Sequence, residues 1–120
     1  MASSEPLVRL WHGTTKQRAE AILLNGPNPD YREPGSLEPA RGFSTARLQG
    51  PYPQGSPENV ANGKARLFPN EGGSVILEID VPEAIVRKAQ LGGEVRFERG
   101  YGMQELLAVW PSLMRRIIPL

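Results

Sequence analysis

A long stretch rich in glycine and proline divides this 120-residue chain and restricts what it can fold into. Of the 32 residues from 26 to 57, 12 are Gly or Pro. Proline interrupts regular helices and strands, and loops of this length are uncommon in compact domains and often functional or mobile where they occur. We therefore expect much of this stretch to be loop, which makes it a candidate functional region.

The length and composition favour a single soluble domain spanning residues 1–120. No apolar run of about 18 or more residues is present, so no membrane contact is expected. The N-terminus lacks the basic and apolar regions of a secretion signal, and cysteine is absent. These features favour a cytoplasmic location and leave export by a signal-free route open.

Charge is balanced along the chain, with 14 basic and 13 acidic residues and a net charge of +1. No block of like charge stands out. The chain therefore lacks the basic patch that tight, sequence-independent nucleic-acid binding requires.

Hydrophobic periodicity predicts an α+β order, with helices mainly in the first half and strands dominating the second. A hydroxyl at Thr14 or Thr15 is expected to cap the first helix, and Ser56-Pro57 is a typical helix start. The predicted strands cover residues 7–12, 42–45, 74–81, 94–98, 106–110 and 113–118; the predicted helices cover 16–25 and 57–67, with a helical turn within 82–88.

The only histidine, His12, lies at a predicted strand-to-helix corner directly before Gly13. Glycine lets a ligand approach the backbone closely, and its N–H and C=O groups can pair with a planar amide. Thr14 adds a hydroxyl at the same place. The residues predict a ligand-binding corner, and the alternative is a histidine that only forms structural hydrogen bonds.

An ordered set of segments extends this pattern along the chain: a strand ending in His-Gly-Thr-Thr at 12–15, a helix ending in Leu-Asn-Gly at 24–26, Gly-Phe-Ser-Thr at 42–45, the apolar strand 75–82, and Gly-Tyr-Gly-Met-Gln-Glu-Leu at 100–106. This succession resembles the ADP-ribosyltransferase superfamily, on the branch where an opening histidine replaces arginine, as in diphtheria toxin and the poly-ADP-ribose polymerases. The resemblance covers nearly the whole chain from Leu7 onward.

The resemblance implies two split β-sheets that hold NAD, the co-substrate, in the cleft between them. It assigns His12 to a ribose hydroxyl and the Gly13 backbone to the nicotinamide carboxamide, with Thr14 beside them. It also implies that Phe43 packs beneath the site while Ser44 and Thr45 steady the cleft. No metal is expected.

The resemblance assigns the catalytic carboxylate, a glutamate that opens a late strand, to Glu105. A carboxylate near the ribose stabilises the oxocarbenium-like state formed when the nicotinamide bond breaks. Glu94 and Glu98 are rival positions, although strand alternation makes them ordinary exposed residues. Tyr101 and Gln104 are the predicted contacts to the substrate that accepts ADP-ribose.

The sequence departs from the family at the aromatic residue expected to stack on the nicotinamide ring. The helix predicted after Phe43 contains no tyrosine, and Phe68 is the nearest aromatic residue. Two alternatives follow: stacking on the nicotinamide ring is weak, or Tyr52 or Tyr31 supplies it from the long loop.

The predicted function is transfer of ADP-ribose from NAD to a macromolecular acceptor, by a toxin or effector that a cognate antitoxin or immunity protein would restrain. Three alternatives remain: NAD hydrolysis, a catalytically degenerate domain that binds a nucleotide or protein, and an RNA 2′-phosphotransferase. The RNA 2′-phosphotransferase also opens with His-Gly-Thr, but that enzyme depends on several basic residues around the phosphate. This chain shows no such cluster beyond Arg41 and Arg47.

Overall fold

Two small antiparallel sheets and four helices form the α+β fold of this chain in the computed structural model, which describes residues 5–46 and 56–120. In none of the helices within those ranges are length and apolar character sufficient for crossing a membrane. The elements in chain order are β1 (Leu7–Thr15), α1 (Lys16–Asn25), β2 (Gly42–Thr45), α2 (Pro57–Leu67), β3 (Ser74–Pro82), α3 (Glu83–Val86), β4 (Gln90–Leu91), β5 (Val95–Glu98), α4 (Met103–Val109), a 3₁₀ turn (Trp110–Ser112) and β6 (Arg115–Pro119).

The larger sheet has the order β1-β3-β6 and the smaller one the order β2-β5-β4. Their edge strands, β1 and β2, meet at one isolated bridge, where Trp11 and Ala46 exchange two backbone hydrogen bonds of 2.9 Å. Beyond this bridge the two strands separate. The expected split pair of sheets is therefore present, although a split pair alone does not define a family.

A single apolar core lies beneath both sheets. Leu10, Leu77 and Ile79 come from the larger sheet, while Phe43 and Phe97 come from the smaller one. β3 is buried on both faces because α2 packs on the side opposite this core. The strand at the centre of the larger sheet is thus the most apolar segment of the chain.

Local signals located most of the early elements correctly. α1 has the predicted bounds, and Thr15 rather than Thr14 is its cap, with its Oγ1 accepting from the Arg18 backbone N–H. Ser56 caps α2 through the Asn59 N–H at 3.2 Å. Both caps satisfy backbone donors that the first helical turn leaves free.

The prediction of a strand over residues 106–110 is wrong, because this segment belongs to α4 and the following 3₁₀ turn. Met103, Leu106 and Trp110 are buried at spacings of three and four, which is the helical period. A short apolar run is compatible with either a helix or a buried strand, and here the segment is helical. Helices are consequently less confined to the first half than expected.

Candidate functional site

A cavity of about 540 Å³ opens where the two sheets separate. It is lined by the end of β1, by α1, β2 and α2, by parts of the segment 25–40, and by Glu94 and Arg96 at β5. Cavities that bind small molecules and cofactors typically measure about 300–1,000 Å³. Two groups of residues lie on its walls: the imidazole end (His12, Gly13, Ser44, Glu94) and the cationic end (Arg18, Glu33, Lys64, with Glu71 behind Arg18).

The ring of His12 spans the gap between the separating strands. Its Nδ1 lies 2.7 Å from the carbonyl oxygen of Ser44, so Nδ1 must carry the proton, since a carbonyl only accepts. Burial lowers the pKa of His12, and the nearby Lys64 charge acts in the same direction, while the bond to Ser44 opposes both. The favoured neutral ring therefore leaves Nε2 as an acceptor for a ligand hydroxyl.

This imidazole takes the place of a backbone hydrogen bond between the strands. After the Trp11–Ala46 bridge, continued antiparallel pairing would set Gly13 opposite Ser44. Instead the bridge is isolated and the Ser44 carbonyl accepts from His12. Because alternate residues of a strand direct N–H and C=O to the same edge, Gly13 directs both groups toward the opening, as Trp11 directs its pair toward Ala46.

Gly13 is required for packing as well as for any ligand. A Cβ on this residue would lie 1.9 Å from the Pro57 carbonyl oxygen and 2.9 Å from the Ala61 nitrogen, both backbone atoms. Close approach of a ligand was the expected reason for this glycine. The first turn of α2 gives a second reason, since it rests directly on the β1 backbone.

The other residues predicted for the cofactor site lie around this corner. The Phe43 ring is buried and its centroid lies 4.5 Å from that of His12, as the expected packing beneath the site requires. Thr45 donates to the Val95 carbonyl at 3.0 Å and so ties β2 to β5. Thr14 is buried and also lines the cavity.

Glu94 is the carboxylate that lies at this end of the cavity. Its Oε1 accepts from the Ser44 hydroxyl at 3.1 Å, and the same hydroxyl accepts from Nη1 of Arg96 at 3.0 Å. A hydroxyl has one proton, so the bond from Arg96 directs that proton to Glu94. Ser44 thus joins the imidazole and the carboxylate, the first through its carbonyl and the second through its side chain.

The residues predicted around Glu105 lie elsewhere. Glu105 does not open a strand: it is in the first turn of α4, and its Oε2 lies 3.7 Å from Nζ of Lys88. Glu105, Tyr101 and Gln104 are not among the residues that line the cavity. The Gln104 side chain instead accepts from the Gly100 N–H at 3.2 Å. The expected pairing of His12 with Glu105 across one groove is therefore not what the fold forms.

The sequence contained a signal for Glu94 that strand alternation obscured. Glu94 follows Gly92-Gly93 and directly precedes β5, so it also fits a glutamate that opens a late strand. What singles it out is the pairing of β5 with β2, in which Thr45 faces Val95. This register places Glu94 beside the strand that carries Ser44.

At the cationic end, Arg18 forms the most enclosed ion pair of the cavity. Its side chain is only 9% exposed, and its Nε donates to Glu71 Oε1 at 2.7 Å. Thr15 donates to the same oxygen at 2.8 Å. The hydrogen bond from Arg18 is the main reason that the pKa of Glu71 is lowered.

Glu33 and Lys64 complete this end. Glu33 Oε1 accepts from Arg18 Nη1 at 2.9 Å and also from Nζ of Lys64. Although burial alone would raise the pKa of Glu33, the bonds and charges of Lys64 and Arg18 lower it overall. Residues from α1, the long loop and α2 meet in this cluster.

Aromatic residues flank the Arg18 guanidinium. The Phe68 ring lies 4.0 Å from it and the Tyr31 ring 5.5 Å. Tyr31 lines the cavity, which agrees with the expectation that the loop supplies an aromatic residue there. Phe68 packs against Arg18 instead of lining the cavity. Tyr52 lies outside the described residues.

The basic residues of the cavity are not those expected. Arg18, Lys64 and Arg96 line it, whereas Arg41 pairs with Glu38 at 3.6 Å and Arg47 lies outside the described residues. Within residues 5–46 and 56–120, no group of three or more metal-ligating side chains is arranged to hold a metal ion.

Comparison of the chain with models of known protein families, with curated proteins and with solved structures gave no significant match. The resemblance to ADP-ribosyltransferases therefore rests on the sequence motifs alone.

Proposed function

We propose that this chain cleaves nicotinamide from NAD and transfers the ADP-ribose, with Glu94 in the role that the sequence assigned to Glu105. One observation carries the proposal: a single cavity holds the His12 imidazole, the backbone pair of Gly13 and the Glu94 carboxylate, linked through Ser44. Imidazole, amide-binding backbone and carboxylate are the groups that this reaction needs.

The imidazole end matches the nicotinamide riboside half of NAD. A carboxamide offers one carbonyl acceptor and one NH₂ donor in a plane, which complements the N–H and C=O that Gly13 directs to the opening. The neutral His12 ring accepts a ribose hydroxyl at Nε2. Tyr31 also lines the cavity, but its ring lies 5.5 Å from the Arg18 guanidinium and therefore belongs to the cationic end.

Breaking the bond between C1′ of the ribose and the ring nitrogen sends the electron pair to nicotinamide and leaves positive charge on the ribose. A carboxylate held by Ser44 stabilises that charge without reorganising. An incoming hydroxyl, amine or water then forms a bond to C1′ and gives up its proton, for which Glu94 is the nearby base. The acceptor is a macromolecule in the transferase and water in the hydrolase.

An RNA 2′-phosphotransferase is the less favoured function for this cavity. The three cations that line the cavity are each paired with a carboxylate: Arg18 with Glu71, Lys64 with Glu33, and Arg96 with Glu98 at 2.5 Å. That pairing leaves little net positive charge for a polyanion. A small dinucleotide, with two charged phosphates, requires less.

The test measures nicotinamide released from NAD by the wild type, by Glu94→Gln and by the matched control Glu105→Gln. Removing the Glu94 charge is expected to lower the rate by about 10²–10³, the usual loss for one preorganised electrostatic group. Glu105→Gln is expected to release nicotinamide at the wild-type rate, since it does not line the cavity.

Loss of release in Glu105→Gln with normal release in Glu94→Gln would contradict the assignment. NAD binding with no release from any protein would support the catalytically degenerate domain. Release stimulated by 2′-phosphorylated RNA alone would support the phosphotransferase.

A further inference from the structure

We propose that Arg18 and Lys64 form a phosphate subsite that the Glu33 carboxylate occupies from within, and that a ligand diphosphate displaces. The inference deepens the proposed function, because it assigns the diphosphate of NAD to the cationic end of the cavity. It also makes the long loop that carries Glu33 responsive to the ligand. Anion binding here is nevertheless testable without any nicotinamide chemistry.

The two sides of the Arg18 guanidinium have different partners: Glu71 binds Nε, and Glu33 binds Nη1 from the cavity side. Glu71 and Thr15 hold the Nε side of the guanidinium, and the Phe68 ring lies 4.0 Å from its carbon. The Nη1 group points to Glu33 at 2.9 Å. An arginine fixed this way keeps its donors in place when one acceptor is exchanged for another.

Glu33 contacts both cations with one oxygen. Its Oε1 accepts from Arg18 and from Lys64, so a single anionic oxygen lies between a guanidinium and an ammonium. A phosphate oxygen forms the same charge-assisted hydrogen bonds, and it adds further oxygens for the remaining donors. The carboxylate therefore marks the position that a phosphate would take.

The exchange is sterically accessible, since all three side chains line the cavity. Glu33 is 32% exposed and Lys64 30%, whereas Arg18 is nearly enclosed. Glu33 also belongs to the loop between α1 and β2, which reaches the helices through this contact and through Tyr31. In the proposed exchange the Glu33 carboxylate leaves, while Arg18 stays on α1 and Lys64 on α2.

Displacing Glu33 should loosen the loop around it. Within the loop, the Ser36 N–H donates to the Glu33 carbonyl at 2.9 Å and the Ala40 N–H to the Tyr31 carbonyl at 3.0 Å. We expect these bonds to open more often once the Glu33 side chain has left Arg18 and Lys64. Ligands ordinarily protect the amides around their site, so faster amide exchange here on ligand binding would be a distinctive signature.

Isothermal titration of inorganic pyrophosphate and of ADP-ribose, which lacks nicotinamide, tests the subsite. Glu33→Gln removes the competing charge and is expected to bind both probes at least about fivefold more tightly than the wild type. Lys64→Gln is expected to weaken both by a similar factor. The matched control is Glu38→Gln, which removes an exposed carboxylate from the same loop and should leave affinity unchanged.

Amide exchange of the wild type gives a second measurement that needs no variant. Pyrophosphate is expected to accelerate exchange at Ser36 and Ala40. The proposal is overturned if Glu33→Gln binds no more tightly than Glu38→Gln, if Lys64→Gln binds as the wild type does, or if pyrophosphate only protects the loop. Failure of nicotinamide release would refute the proposed function and leave these binding results unaffected.

Discussion

The two ends of the cavity are built by different physical means. The imidazole end depends mainly on backbone geometry: two strand edges separate after one bridge, His12 donates to the Ser44 carbonyl, and the Ser44 hydroxyl donates to the Glu94 carboxylate. The cationic end depends on charge: Arg18 pairs with Glu71 and Glu33, and Lys64 pairs with Glu33. One end lies on β-strands that the core fixes, and the other joins two helices to a loop.

One cavity thus combines an end formed by separating strands with an end formed by ion pairs. A backbone cleft tolerates no added volume, because its walls are the chain itself. An ion-pair cluster tolerates added volume better but responds to lost charge and to pH. Substitutions at the two ends should therefore lower the free energy of unfolding for different reasons, and the two ends should lose stability in different pH ranges.

The largest expected effect is that of Gly13→Ala at the imidazole end. Its Cβ would lie 1.9 Å from a backbone oxygen of α2, so β1 and α2 must move apart. We expect the free energy of unfolding, measured in urea, to fall by about 3 kcal/mol or more, the upper range for overpacking.

Gly63→Ala is the matched control for this substitution. Gly63 lies within α2 and a Cβ there meets nothing within 4 Å. Alanine in a helix is more favourable than glycine by about 0.5–1 kcal/mol, so this variant should be more stable than the wild type. Equal stability of the two variants would show that α2 does not rest on β1.

At the cationic end, Arg18→Met should have the next largest effect. The substitution keeps an apolar stem but leaves Glu71 and Glu33 without their most enclosed partner. We expect a loss of about 2–3 kcal/mol in the free energy of unfolding, somewhat below the usual cost of breaking a fully buried pair.

Arg9→Met provides the comparison on the outer face of the sheet, where Arg9 is 53% exposed and pairs with Asp80 at 2.8 Å. Solvent screens this pair, so its loss should matter much less than that of Arg18. A larger loss for Arg9 than for Arg18 would contradict the description of the cationic end.

A smaller effect separates the two ends by pH. The pKa of folded His12 is lowered, chiefly by burial, whereas the unfolded residue titrates near 6.5. As the pH falls through about 6.5, His12 is protonated in the unfolded chain but stays neutral in the folded chain. The free energy of unfolding of the wild type therefore decreases. In urea unfolding at pH 7.5 and 5.0, His12→Asn should lose less than the wild type; an equal loss would show that His12 is not responsible.

The cationic end should respond in a more acidic range. The pKa of folded Glu71 is lowered, mainly by the hydrogen bond from Arg18, so its contribution is present above about 4.5 and is lost as the pH falls toward the folded pKa. Unfolding measured between pH 6 and 3.5 should show a shallower acid loss for Glu71→Gln than for the wild type. An acid loss in Glu71→Gln as steep as that of the wild type would show that Glu71 is not responsible.

Much of the fold was predictable because local chemistry decides it. The bounds of α1 follow from a hydroxyl cap and a following glycine, and β3 follows from its apolar pattern. His12, Gly13 and Phe43 line one cavity because β1 and β2 lie next to each other, although β1 continues past its predicted end at His12 to Thr15. Strand alternation alone makes Glu94 an exposed position, so the sequence offers it only as a rival to Glu105.

Local sequence patterns are sufficient to locate the early elements and to mark His12-Gly13 as a candidate ligand-binding segment. The folded structure adds that His12 lies within β1 rather than at its end, that β5 pairs with β2 and so places Glu94 at the cavity, and that 103–109 forms a helix away from it. It also brought Arg18, Glu33 and Lys64 together from three separate segments. Caps and periodicity act over a few neighbouring residues, whereas strand pairing and ion pairs join residues that only the folded chain brings near one another.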